Sequence, residues 1–233
     1  WGELEGYSDI PKNGKLSAAK TQELRHGYYA CVSYVDALTG RLLRKLDDLK
    51  LTGRTVVLLW GDHGFHLGEQ GLWTKANNYE LSTRVPLILS VPGQDHRGVK
   101  TDALVEFVDL YPTLAQICGL AAPDKVEGIS LLPLLEKPGR PWKSAVFSQY
   151  PRSFQGNRHR KHGDLMGYAA RTQRHRYVEW RNWKTGKVQA RELYDHETDP
   201  NETKNLAKEP VEKENLKRLQ QTLHDGWKAA LPE

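Results

Sequence analysis

TVVLLWGDHGFHLGEQGLWTK, residues 55–75, decides how this chain is read. Its first five residues are β-branched or leucine without polar alternation. That is the pattern of a strand covered on both faces, and it points to a mostly parallel sheet. An acid, a histidine, a glycine and a second histidine follow within seven residues, and Lys75 stands twelve residues past His63. Neighbouring side chains of a regular strand face opposite ways, so Asp62 and His63 can reach one ion only where the backbone turns irregularly. Gly61 and Gly64 bracket them and permit such a turn. A carboxylate with an imidazole suits Zn, Mn or Fe, and serves Ca or Mg when other carboxylates complete the shell. An ordinary capped strand-to-loop turn uses the same residues. Lys75, delivered near a metal-bound anion, would neutralise charge on a sulfuryl or phosphoryl oxygen as a point charge. His66 and Glu69 read as solvated surface above Leu67, Leu72 and Trp73.

Outward from this stretch the pattern is α/β. Residues 1–16 form an irregular lead-in. Ser17 caps an expected helix over about 18–49, where Leu24, Tyr28, Cys31, Val32, Val35, Leu38, Leu42, Leu46 and Leu49 recur at spacings of three and four. At 1.5 Å per residue this helix spans roughly 48 Å and needs a large surface to lie on. VPLILSV (85–91) and ALVEFV (103–108) are the next expected strands, and Asp109 caps a helix through DLYPTLAQICGL, where Pro112 falls in the first turn. After a Pro- and Gly-rich stretch, SAVFSQY, GYAARTQ, RYVEWRN and KTGKVQARELYD read as strands, followed by a loop and a terminal helix over about 208–230. We therefore expect a core portion over 1–141 and a small antiparallel-sheet-plus-helix subdomain over 142–233. The working site is expected at the carboxyl ends of the core strands.

The chain has 233 residues, 38% of them hydrophobic and 27% charged, with seven Trp and ten Tyr, a globular composition. No apolar run approaches the roughly 20 residues of a membrane span. The formal net charge of +5 owes much to RHRKH (158–162) and RTQRHR (171–176). Such clusters suit nucleic acid or a sulfated or carboxylated sugar equally well. Arg171, Arg174 and Arg176 alternate along an expected strand and would share one face, as an anion-binding comb or as the wet side of an edge strand. His159, Arg160, Lys161 and His162 read as a solvated loop. Cys31 and Cys118 read as packed small hydrophobes. Neither GxGxxG after a strand, nor GKS or GKT, nor GxSxG occurs, which removes the usual signatures of nucleotide kinases and serine hydrolases.

Taken in order, GYYACVSYVDALTGRLLRKLDDL (27–49), GDHGFHLGEQGLWTK (61–75), STRVPLILSVPG (82–93), VEFVDLYPTLAQICGL (105–120), SQYPR (148–152), MGYAARTQRHRYVEW (166–180) and ELYDHETDPNETKNLA (192–207) resemble the C-terminal part of a sulfatase of the alkaline-phosphatase-like superfamily, in its iduronate-2-sulfatase group. The resemblance implies an alkaline-phosphatase-like mixed sheet between helices. It also implies a divalent ion, usually calcium, that holds sulfate oxygens, and a formylglycine nucleophile made from a cysteine or serine in a C/S-x-P-x-R motif. It assigns Asp62 and His63 to the metal shell, His63 standing where many relatives carry Asn, and Lys75 to the sulfate or leaving-group oxygen as a catalytic residue. Arg171 falls near the substrate pocket, and so does Phe65, where iduronate-specific relatives carry Trp.

Neither cysteine here lies in a C-x-P-x-R context, and no serine supplies one. The nucleophile is therefore expected on an N-terminal half outside these residues, the two parts together acting on a sulfated polysaccharide. No nucleic-acid partner and no membrane span are implied, and export to the periplasm, the cell exterior or the lysosome is. A phosphomonoester or phosphodiester hydrolase of the same superfamily is the second reading. A non-catalytic glycan-binding remnant is the third.

Overall fold

The computed structural model describes residues 3–12, 15–152 and 165–232. The basic run 158–162, with His159, Arg160, Lys161 and His162, lies outside the described residues. By its contacts the chain divides into two units, residues 1–76 with 81–93, and residues 77–80 with 94–233.

The first unit opens with a 3-10 turn, Leu4–Gly6, and the helix α1, Ala18–Asp48. Ser17 caps α1 as expected, its hydroxyl accepting the Lys20 amide at 3.1 Å. The strand β1, Val57–Trp60, follows, then the short strands β2, His66–Leu67, and β3, Trp73–Thr74. A helical turn, α2, Glu80–Thr83, whose first residue belongs to the second unit, precedes β4, Leu87–Ser90. β1 and β4 pair antiparallel, with Val57 opposite Ser90 and Trp60 opposite Leu87. The mostly parallel pairing expected from the apolar run is thus corrected for this ladder: continuous apolarity reports cover on both faces and is silent about a neighbour's direction. Leu4, Ile10 and Trp73 form a small core with Leu16, Leu24 and Leu67 packed on it.

None of α1's residues is buried. Its stripe stands open, with Val32, Val35, Leu38 and Leu42 all exposed. Cys31 is exposed with it, and so is Cys118. This corrects their reading as packed hydrophobes, because the surface that would cover them is not among the described residues.

In the second unit the expected strand 103–108 does not form. Glu106 is instead the cap of a 3-10 turn, Phe107–Asp109, that runs into α3, Leu110–Ile117. The Glu106 amide donates to Asp109 Oδ2 at 2.9 Å, and the Glu106 side chain caps the other way, a reciprocal capping box. Asp109 is therefore the third residue of the box rather than the cap. Lys143 Nζ lies 2.8 Å from both Asp109 oxygens and from Glu106 Oε2, so the buried carboxylate keeps a cationic partner. A short helix, α4, Leu132–Glu136, leads to the sheet.

That sheet has four antiparallel strands in chain order: β5, Val146–Arg152; β6, Leu165–Arg171; β7, His175–Asn182; and β8, Val188–Asp195. The helix α5, Lys213–Asp225, contacts β6 and β7. Tyr177, Leu193 and Leu219 are fully buried together, with Leu206, Leu216 and Leu223 around them. Each such burial stabilises by roughly 2 kcal/mol. Ala169, Val178 and Trp180 form a second cluster, with Leu165 packed on it. The four strands expected in this part thus appear. The terminal helix is shorter than expected because Gly226, at φ +75°, ends α5 before a last 3-10 turn, Trp227–Ala230.

Candidate active site

β1 ends at Trp60, and the chain leaves the strand at once. The Gly61 amide donates to Pro86 O at 3.2 Å and the Gly64 amide to Ser82 O at 2.9 Å, so the stretch leading into β4 holds the turn at both glycines. Gly64 cannot carry a side chain here, because a Cβ would lie 2.0 Å from the Leu81 carbonyl oxygen. This bend lets two successive side chains meet. Asp62 Oδ2 and His63 Nε2 are 3.6 Å apart, with Asp62 86% and His63 39% exposed.

The donor chemistry of this pair fits a cation. Gly64 O can only accept, so His63 Nδ1, 2.8 Å away, is the donor there and Nε2 is the ring nitrogen turned toward Asp62. A carbonyl that fixes the distal nitrogen is a common support for a ligating histidine. Asp62 Oδ1 accepts the His63 amide at 3.0 Å, which orients the carboxylate. Two donors make only part of a shell, and the rest must come from elsewhere.

The hairpin β2–β3 explains the spacing to Lys75. His66 pairs with Thr74 and Leu67 with Trp73, so the next residues outward are Phe65 on one strand and Lys75 on the other. The interval from Phe65 to Lys75 is that of a hairpin that turns back on itself, and His63 lies two residues before it. His66 and Thr74 are both fully buried, which corrects the solvated reading of His66. Phe65 packs on Tyr28 of α1 with ring centres 5.2 Å apart. Lys75 Nζ is ion-paired with Glu3, both about one-third exposed.

Arg171 belongs to the second unit. It closes β6 directly opposite Arg176 of β7. Arg174 lies in the turn between the two strands, about half exposed, and pairs with Asp195 and Glu197. The three arginines therefore do not line one strand, as the alternation had suggested. Arg171 and Arg176 both bind Glu80, a residue that sequence reasoning missed. Glu80 sits 91 positions before Arg171, and no local pattern links them. Burial pushes the Glu80 carboxyl up, but Arg176, Arg171 and His196 outweigh it and hold the group at about 2. Ligand atoms of Glu80, His196 and Glu202 lie within 4.8 Å of one another, a spacing open to a metal ion. Their carboxylates already accept from two guanidiniums, Arg176 Nε reaching Glu202 Oε1 at 2.6 Å. An ion there would have to displace an arginine.

Residues 68–229 match the family model for the C-terminal part of N-sulphoglucosamine sulphohydrolase, and residues 5–120 match the sulfatase model. Human iduronate 2-sulfatase is 33% identical, the match covering 83% of this chain and 46% of that protein. A solved structure of an enzyme in complex with its substrate D-glucosamine-2-N,6-O-disulfate superposes at TM-score 0.78 and 31% identity, over 88% of this chain and 40% of the other. A phosphonate monoester hydrolase from Silicibacter pomeroyi superposes at TM-score 0.81 and 25% identity, over 97% and 44%. The chain spans less than half the length of the curated relatives it matches. On these matches the chain belongs to the sulfatase family, as a C-terminal part of the alkaline-phosphatase-like fold.

Proposed function

We propose that this chain supplies part of the active site of a sulfuric ester hydrolase acting on a sulfated polysaccharide, one containing uronic acid among its candidate substrates. The observation that carries the reading is the Asp62–His63 pair, donor atoms 3.6 Å apart, in a chain of the sulfatase family. In the proposal Asp62 and His63 would contribute to the shell of one divalent ion, calcium. Bound there, the ion supplies Lewis-acid polarisation of a sulfate oxygen. Lys75 leaves Glu3 and places its ammonium on the sulfate or the leaving oxygen, offsetting charge as the S–O bond breaks. Phe65 and, on the second unit, Arg171 are the proposed substrate-binding residues, Arg171 for an anionic group of the sugar. The nucleophile, formylglycine, comes from an N-terminal half outside these residues. Support for that partner is the open face of α1 together with the share of the relatives that the chain spans. The 1–141 and 142–233 division is kept as the core portion and subdomain of that larger protein, exported to the periplasm, the exterior or the lysosome. Among the described residues no helix is long and apolar enough to cross a membrane.

The test is sulfate release from a heparin-derived disaccharide by the full-length protein. Chelation should abolish it, calcium should restore it, and Asp62→Asn should lower it at least about 100-fold. Release that persists through chelation and through that substitution sinks the reading. The likeness to a phosphonate monoester hydrolase favours a second reading, phosphoryl ester hydrolysis. Faster turnover of a phosphonate or phosphate monoester than of any sulfate ester would establish it.

A further inference from the structure

Glu80 takes Arg171 edge-on. Arg171 Nε donates to Oε2 at 3.1 Å and Nη2 to Oε1 at 3.4 Å. A guanidinium is planar, so a fork on one edge fixes where its remaining nitrogen points. That nitrogen, Nη1, is buried and has no hydrogen-bond partner among the described residues. A buried donor left unmade costs free energy until an acceptor arrives, and for a cationic donor the best acceptor is an anion.

Glu80 is itself held from three sides. Its Oε2 also accepts from Arg176 Nη2. Arg176 Nε donates to Glu202 Oε1, which lies 2.8 Å from His196 Nε2. Glu202 Oε2 accepts the Glu80 amide at 2.7 Å, so side chain and backbone of Glu80 meet the same partner system. Two residues earlier, Asn78 Nδ2 donates to Gly167 O at 3.2 Å. A Cβ on Gly167 would lie 2.4 Å from that nitrogen, so the bare strand position is what admits the segment. Two guanidiniums against two carboxylates leave little net charge. What the arrangement provides is direction.

We propose that Glu80 is a positioning residue, its carboxylate aiming Arg171 Nη1 at a sulfate or carboxylate oxygen of the sugar while Arg176, Glu202 and His196 keep Glu80 in place. The proposal rests on the sulfated-glycan reading above. It is tested by calorimetric binding of a heparin-derived sulfated disaccharide to the full-length protein. The variants are Glu80→Gln, Arg171→Gln, their combination, and Glu80→Asp. Expected are a roughly tenfold loss of affinity for Glu80→Gln, partial recovery in Glu80→Asp, and a double variant no weaker than Arg171→Gln alone. Additive losses, or wild-type affinity in Glu80→Gln, overturn it. If Glu80→Gln does not fold, Glu80→Asp is combined with Arg171→Gln and judged by the same non-additivity. Wild-type protein that binds no disaccharide overturns the proposal and the reading beneath it together. Binding that is insensitive to Arg171→Gln overturns the proposal and leaves that reading standing.

Discussion

Single atoms decide the candidate site. The carbonyl oxygen of Leu81 stands where a Gly64 side chain would begin. Gly64→Ala must therefore push the turn away from the backbone at 81–82, costing about 1–3 kcal/mol. Chemical denaturation should show that loss, and binding of calcium or another divalent ion should weaken with it, because Asp62 and His63 ride on the same turn. A stability within 0.5 kcal/mol (~) of wild type would contradict the close approach. Lys75 gives a second expectation. Lys75→Ala in the full-length protein should lower sulfate release about 100-fold or more, while Glu3→Gln, which frees the ammonium, should not lower it. The bend that brings Asp62 and His63 together was legible because Gly61 and Gly64 announce it. Glu80 was not, since a carboxylate placed by a distant β-sheet leaves no local trace.

Elements show where periodicity suffices and where it fails. α1 follows its stripe and its Ser17 cap, and β5 to β8 follow their strand-like runs and the polar loops between them. The run ALVEFV has strand composition, yet Glu106 within it caps the following helix and accepts the Phe147 amide at 2.9 Å. A cap uses the backbone that a ladder would need, and the preference for it appears only once Lys143 and Phe147 are in place. The β6–β7 pair also carries a pH dependence. Glu80, held at about 2 when folded, ionises near 4.5 in an unfolded chain. Its stabilisation is complete above that range and is lost as pH falls from about 4.5 toward 2. Burial pushes His175 below its usual 6.5. The unfolded chain therefore takes up that proton first, and stability falls as pH drops below 6.5. Urea midpoints followed from pH 7 to 2 should decline in these two steps, and Glu80→Gln should shrink the lower one, to which Asp195, held at about 2 by Arg174, also contributes. A lower step unchanged in that variant would assign it to other carboxylates.

At the scale of the whole molecule, exposed apolar surface is the dominant fact. Val32, Val35 and Leu42 of α1 and Leu49 just after it, with Trp60 and Ile88 of the β1–β4 ladder, are all about half exposed or more. Surface of this kind marks an interaction site or an aggregation hazard. The chain prepared alone should associate with itself as concentration rises, and an N-terminal partner should reverse that. Light scattering across a dilution series measures it, and a monodisperse monomer at high concentration would argue against a missing cover. That the surface is apolar could be read in the sequence. That it stays open could not, because periodicity marks the face to be buried without marking what buries it.

The uncovered helix has a consequence in time as well. An amphipathic helix draws most of its stability from what its apolar face rests on, and α1 has Gly27 and Gly40 in its interior. Its amide hydrogens should exchange with solvent orders of magnitude faster than those of β6 and β7 in the chain alone, and slow sharply if the proposed N-terminal half docks there. Deuterium uptake along α1 would then record assembly directly, without any substrate being turned over.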